Sequence, residues 1–167
     1  MRVYVRKYRW YRDLFFQCHV LFDESIQHIM FDNLRKTLGY FMPGRFYEKY
    51  VVVMEQESSK ERRAVCAFLK DPRKDVCWIA GFVPTRMQNK GMGVYGAVAG
   101  INELFKKHPS CTVLSASYAH NKRAIRVTTA LGFRLYVNDD RHYEGSMTKA
   151  QFDNDFVKRI MRRCNIQ

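Results

Sequence analysis

The segment richest in chemistry is Phe82-Val83-Pro84-Thr85-Arg86-Met87-Gln88-Asn89-Lys90-Gly91-Met92-Gly93. Before it, the apolar run from Val76 to Val83 reads as a strand stopped by Pro84. After it, Val94, Val98, Ile101 and Phe105 recur at helical spacing, which predicts a helix over 91–107. At such a junction the first N–H groups of the helix have no partner inside it, and the helix dipole adds partial positive charge. Glycines keep side chains out of the way, so the junction can grip a phosphate or pyrophosphate. A second pair follows: Tyr118 and His120 lie at the end of a predicted strand. Histidine titrates near neutrality, so this group suits proton transfer.

Two kinds of ligand fit the glycine loop. Gly91-Met92-Gly93-Val94-Tyr95-Gly96 matches the G-x-G-x-x-G fingerprint of dinucleotide-binding proteins. That fingerprint requires an acidic residue about 20 positions later to hold a ribose hydroxyl. No Asp or Glu occurs between Leu104 and Asn138, and the first half of the chain lacks repeated strand-helix units. Both absences weigh against a nicotinamide or flavin site.

The elements around these residues follow from pattern. Val3–Lys7 opens as a strand, and the helical pattern runs from Asp13 to about Lys36. Gly39–Gly44 is a loop. Tyr50–Glu55, containing Val51-Val52-Val53, and Ala64–Leu69 read as antiparallel partners across a turn at Glu57-Ser58-Ser59-Lys60. Asp71-Pro72 breaks the chain before the Val76 run. Thr112–Ser117 is a strand, and Asn121–Leu131 a helix capped by Gly132. Phe133–Val137 and Tyr143–Met147 are strands joined through Asn138-Asp139-Asp140. The tail is one helix opened by the capping box Thr148-x-x-Gln151, with Phe152, Phe156 and Ile160 on one face. Helices cross between strands only in the second half, which predicts a mixed sheet with a parallel segment in its middle.

Gln88-Asn89-Lys90-Gly91-Met92-Gly93 also matches Q/R-x-x-G-x-G/A. Asn121-Lys122-Arg123-Ala124-Ile125 and Leu131-Gly132-Phe133 supply an N-x-x-A-I opening and an L-G-F close around one helix. On these motifs the stretch from Val76 to Phe133 resembles the GNAT family of N-acetyltransferases. The resemblance implies an α/β (α+β) fold over one domain, 1–167. Its mixed central sheet has about six to seven strands, splayed in the middle and flanked by helices, with an extra C-terminal helix. It implies acetyl-CoA, or another acyl-CoA, as co-substrate and acyl transfer to a primary amine by direct attack. Phe82 and Val83 would pair with the pantetheine arm. Gln88, Asn89, Lys90, Gly91, Met92 and Gly93 would hold the pyrophosphate, and Asn121 would contact the cofactor from the next helix. Lys90, Lys122, Arg123 and Arg126 are candidates to neutralise phosphate.

The sequence departs from the family in its proton-handling residues. An alkyl amine has a pKa near 10, so at neutral pH only about one in a thousand is unprotonated. Many family members carry a Glu on the fourth strand, and Val76–Val83 carries no carboxylate. Many place a Tyr four residues before the Gly of L-G-F, to protonate the leaving thiolate. Thr128 occupies that position, which leaves Tyr118, His120 and Thr128 as catalytic candidates. Pro84 and Gln88 are four apart where three is common, so one residue would bulge outward at Thr85–Met87.

Composition narrows the rest. The 167 residues carry 29 Lys plus Arg against 16 Asp plus Glu, a net charge of +13 that attracts polyanions. An acidic acyl carrier protein is therefore an alternative donor, and a non-catalytic CoA-binding module an alternative role. No nucleic-acid motif accompanies the charge. Five cysteines without a C-x-x-C argue against a disulfide framework and for a reducing, cytoplasmic setting. Histidines and cysteines form no ligand set for a metal. No apolar run reaches the roughly 20 residues that span a bilayer, and no apolar signal core opens the chain. The oligomeric state stays open, a homodimer included.

Overall fold

The computed structural model describes residues 2–7, 9, 11, 13, 47–56, 59–71, 75–83, 88–139 and 141–166. The helical pattern read over residues 14–36, the loop at 39–44 and the bulge at 85–87 lie outside them. Strands β1 (Arg2–Lys7), β2 (Tyr47–Gln56), β3 (Ser59–Asp71) and β4 (Val76–Phe82) form an antiparallel meander. Helix α1 (Met92–Lys107) crosses to β5 (Thr112–Tyr118), which lies parallel to β4. Helix α2 (Lys122–Leu131) leads to the hairpin of β6 (Arg134–Asp139) and β7 (His142–Met147). The chain ends in α3 (Lys149–Phe152) and α4 (Asp155–Cys164). The seven strands follow the order β1-β2-β3-β4-β5-β7-β6, so β7 sits between β5 and β6. The sheet is mixed, with its parallel step in the middle, as the element order predicts.

Helix α1 packs on β1 to β4 and against α2 and α4. Its Val98, Ile101 and Phe105 are buried, and Cys77, Val113 and Met147 meet them from the sheet. Those three lie in register across β4, β5 and β7, so one row of side chains faces the helices. Phe105 also meets Phe152 of α3 with ring centroids 5.6 Å apart. Lys106 and Lys107 fill the last turn of α1 and complement the negative end of its dipole.

Several boundaries differ from the pattern reading. Ser59 and Lys60, read as turn, belong to β3, and Gln56 pairs with Ser59. Asp71 is the last residue of β3 rather than a break. Asn138 and Asp139 continue β6, with a register shift between Val137 and Asp139. The tail is two helices, not one. The capping box at Thr148 forms as read, but Asp153 ends the first piece and Asn154 caps the second, the Asn154 side chain accepting from the Val157 amide at 3.1 Å. Its Nδ2 donates to the carbonyls of Leu131 and Gln151, which ties α2 to the tail. Gly132 makes that approach possible. Its φ is +103°, and a Cβ there would strike the Gln151 carbonyl oxygen.

Cys77, Cys111 and Cys164 are free thiols and all are buried. Burial pushes the Cys164 thiol up, against the pull of neighbouring Arg163. A thiol held protonated and shielded is a poor nucleophile. Peptide mapping after treatment with a soluble alkylating reagent is therefore expected to find these three unmodified in the native protein and fully modified after unfolding.

Candidate functional site

Pairing between β4 and β5 covers only Val76–Thr112, Cys77–Val113 and Trp78–Leu114. Beyond Trp78, β4 stays paired with β3 to Phe82, and beyond Leu114, β5 stays paired with β7 to Tyr118. The two strands therefore part, leaving a wedge walled by main chain on both sides. Amide and carbonyl groups of alternate residues point to opposite edges of a strand, so each wall turns some of them into the wedge. Those groups can accept one more extended segment, as an added strand would.

The wide end of the wedge meets the start of α1. Gln88, Asn89 and Lys90 form a turn, with Asn89 at φ 61° and Gly91 at φ 77° as the N-cap. Only glycine takes the second position easily, because a Cβ there would also stand 2.5 Å from Tyr95 Cε2. The helix ladder opens with Tyr95 N–H donating to the Gly91 carbonyl at 3.0 Å. The amides of Met92, Gly93 and Val94 thus point out of the helix end. Among the described residues no side chain caps them, and the first turn contains no acidic residue. Met92 turns its side chain into the core, whereas Gly93 is exposed. The result is a positive helix end open to solvent, with a cradle floored by glycine that a larger side chain would fill.

The flanking residues frame this end. Val83 is half-buried and continues from β4. Gln88 donates from Nε2 to the Val83 carbonyl at 3.3 Å and accepts from Arg123 at 3.4 Å. Its side chain thus joins the strand exit to α2 and holds a guanidinium beside the loop. Asn89 and Lys90 are exposed. Asn121 caps α2, its Oδ1 accepting from the Ala124 amide at 3.1 Å. The cap commits the carboxamide oxygen and leaves the NH2 to donate outward. Lys122, Arg123 and Arg126 are exposed on α2, and its first turn also lacks acid.

Tyr118 and His120 come together at the end of β5, their rings stacked with centroids 5.4 Å apart. His142, in register on β7, lies on Tyr118 at 4.6 Å. Thr128 is separate from this group. Its hydroxyl donates within α2, to the carbonyls of Ala124 and Ile125 at 2.9 and 3.0 Å. Pattern reading did not single out His142, because its place depends on the β5–β7 register, which no local spacing reveals. Among the described residues no group of three or more His, Cys, Asp or Glu can hold a metal ion. No described helix is long and apolar enough to cross a membrane.

No known family pattern matches the chain, and no curated protein sequence is similar to it. Solved structures are. A spermidine N-acetyltransferase from Vibrio cholerae, crystallised with CoA and spermine, is 12% identical with a TM-score of 0.73, covering 92% of this chain and 99% of that one. A domain from Methanocaldococcus jannaschii is 11% identical with a TM-score of 0.69, covering 87% of this chain and 99% of that one. A point variant of the Vibrio enzyme is 13% identical with a TM-score of 0.68, covering 92% of this chain and 97% of that one. The fold is therefore that of GNAT acetyltransferases, as the two sequence motifs imply.

Proposed function

We propose that this chain is an acyl-CoA-dependent N-acyltransferase of the GNAT family that passes an acetyl group from acetyl-CoA to a primary amine. The observation that carries this reading is the wedge between β4 and β5 opening onto the uncapped, glycine-floored start of α1. An extended pantetheine arm fits the first, and a diphosphate fits the second. Phe82 and Val83 would pair with the arm, and Gln88 to Gly93 would surround the diphosphate, with Gly91 shaping the turn and Gly93 clearing the approach. Asn121 would donate its NH2, and Lys90 and Arg123 would supply positive charge. A main-chain N–H near Val83 would stabilise the oxyanion formed when the amine attacks the thioester carbonyl. The thiolate then leaves and takes up a proton.

Tyr118 is the favoured proton donor, with His120 beside it. The hydroxyl of Thr128 would have to give up two helix bonds to take that role. Tyr118→Phe is expected to lower kcat by tenfold or more, on the order of one general-acid contribution. The KM for acetyl-CoA should stay within twofold, and Thr128→Val should lower kcat less. An unchanged kcat in Tyr118→Phe would move the donor elsewhere.

The whole chain, 1–167, acts as one domain in this reading, which the near-complete coverage of the Methanocaldococcus domain supports. Buried free thiols support a reducing, cytoplasmic compartment. Exposed Lys90, Lys122, Arg123 and Arg126 also favour an acidic acyl carrier protein as a second donor. Titration calorimetry with acetyl-CoA, followed by release of CoA thiol over a panel of amines, tests the proposal. Absence of acyl-CoA binding by the folded protein would overturn it, and binding without turnover on any amine would reduce it to a CoA-binding module.

A further inference from the structure

The solvent face of α2 carries charges that folding disfavours. Lys122 and Arg123 fill its first turn, where the helix dipole opposes cations, and Arg126 stands one turn on from Lys122. Like charges four apart on a helix repel. No acidic residue in α2 offsets them. Helix α4 repeats the arrangement. Lys158, Arg159, Arg162 and Arg163 are exposed on it as two further like-charged pairs four apart. The dipole accounts for Arg162 and Arg163 in the last turn, but not for Lys158 and Arg159. Asp155 is the one acid of α4 and sits in its first turn, where the dipole favours it. Neighbouring Asp153 is held by Lys149 at 3.0 Å.

These charges belong to one surface. Helices α2 and α4 pack against each other, and both pack against α1. The α4 cap Asn154 bonds the Leu131 carbonyl at the end of α2, about 15 Å along that helix from Asn121. At the other end, Arg123 donates to Gln88 of the glycine loop at 3.4 Å. A basic strip therefore starts at the cradle and spreads over two helices. The adenosine end of one CoA is too small to cover it, so its partner is larger and acidic. A membrane surface would need apolar anchors on this face. Helix α4 instead turns Val157 and Cys164 into the core and packs Phe156, Ile160 and Met161 against it. Nucleic acid has no flexible arm for the wedge between β4 and β5. An acyl carrier protein has one: its acyl group rides on the same phosphopantetheine as in CoA, joined to the protein through a single phosphate.

We propose that the joined solvent faces of α2 and α4 dock an acidic acyl carrier protein, whose acylated arm enters the β4–β5 wedge. The inference rests on the acyl-transfer reading and names a macromolecular donor for it. The phosphate of the arm would take the cradle at the start of α1, and carrier carboxylates would face the cations of both helices. The chemical step is the same as with CoA. The acceptor nitrogen bonds to the thioester carbonyl carbon, the C–S bond breaks, and the proton lost by nitrogen ends on the carrier's thiol. Two ten-residue helices offer a small interface, suited to a donor that must leave after each turnover. Charge dominates such a contact, so it weakens with salt.

The test is calorimetric titration at low salt with two probes: acetyl-CoA, and a purified acyl carrier protein of the small acidic type bearing an acetylated arm. The wild type should bind both, and added salt should weaken the carrier more than acetyl-CoA. Arg159→Glu with Arg163→Glu should weaken carrier binding about tenfold or more. Acetyl-CoA affinity should stay within twofold, since neither residue belongs to the cradle, and that also shows the variant to be folded. If the double reversal does not fold, Arg159→Gln with Arg163→Gln serves, with a severalfold loss for the carrier alone. A protein that binds acetyl-CoA but not the carrier, or carrier binding unmoved by the α4 changes, overturns the inference while the acyl-transfer reading stands. So does binding of an RNA duplex or of phosphatidylserine vesicles that the α4 changes weaken while the carrier stays unbound. Failure to bind either donor overturns that reading and this inference with it.

Discussion

Replacing Gly93 with Asp is expected to weaken acyl-CoA binding about a hundredfold while leaving the protein as stable as before or slightly more so. Gly93 is the second residue of α1 and is exposed, and a Cβ there would meet only Val83 Cγ2 at 3.8 Å. Glycine inside a helix costs roughly 0.5–1 kcal/mol relative to alanine. An acidic residue in the first turn adds about 0.3–1 kcal/mol through the helix dipole. Folding therefore gives no reason for glycine at this position. A diphosphate at the helix end does. A carboxylate about 5 Å from one phosphate charge costs roughly 3 kcal/mol at an effective dielectric constant near 20. That energy is about a hundredfold in affinity. Thermal melts and calorimetry on the same sample separate the two effects. Affinity equal to wild type would put the phosphates elsewhere. Gly91 cannot make this distinction, because its positive φ and the Tyr95 ring beneath it would bring folding and binding down together.

Asp13→Ala is expected to lower unfolding free energy by roughly 3–5 kcal/mol, the usual result of breaking a buried ion pair from one side. Asp13 is 0% exposed and receives two bonds from the Arg6 guanidinium, both at 2.6 Å, and one from the Arg9 amide at 2.9 Å. The pair fastens the chain just beyond β1 back onto the end of that strand. A loss of that size is a large part of the roughly 5–15 kcal/mol that holds an ordinary domain together. The double change Arg6→Met with Asp13→Leu should cost clearly less, because it removes both charges of the pair together. Urea unfolding of the three proteins checks this. A single-variant loss below about 1 kcal/mol would show that the pair does not fasten this segment.

Local pattern was enough for α1, α2 and most of the described strands, because periodicity and stop residues act over a few positions. Val51-Val52-Val53 marked β2, and Gly132 marked the end of α2. The loop from Gln88 to Gly93 was legible for the same reason: the glycines and the helix start are neighbours in sequence. Contacts between distant residues were not. Tyr118 and His142 meet only because β7 inserts between β5 and β6, and a shift at Val137/Asp139 helps set that hairpin's register. Asp13 sits opposite Arg6 only after the chain doubles back, a geometry that spacing alone does not encode. At the tail, Phe152, Phe156 and Ile160 keep one helical period straight through the break at Asn154. An asparagine that ties Leu131 to the tail looks, in sequence, like any polar residue on a helix. Thr128 stands where the GNAT motif expects a tyrosine, and only the structure shows its hydroxyl bound to its own helix.

With three paired positions at the β4–β5 seam, the sheet is stitched like two leaves sharing a short spine. Helix α1 bridges them at the back, but along the open margin neither leaf grips the other through main-chain bonds. A molecule lying there would supply the missing rungs. Occupancy should then do more than present a reactive group: it should clamp the leaves, so melting temperature climbs with ligand concentration as mass action requires. The same parting of strands that makes room for chemistry makes the apo sheet the softer of the two states.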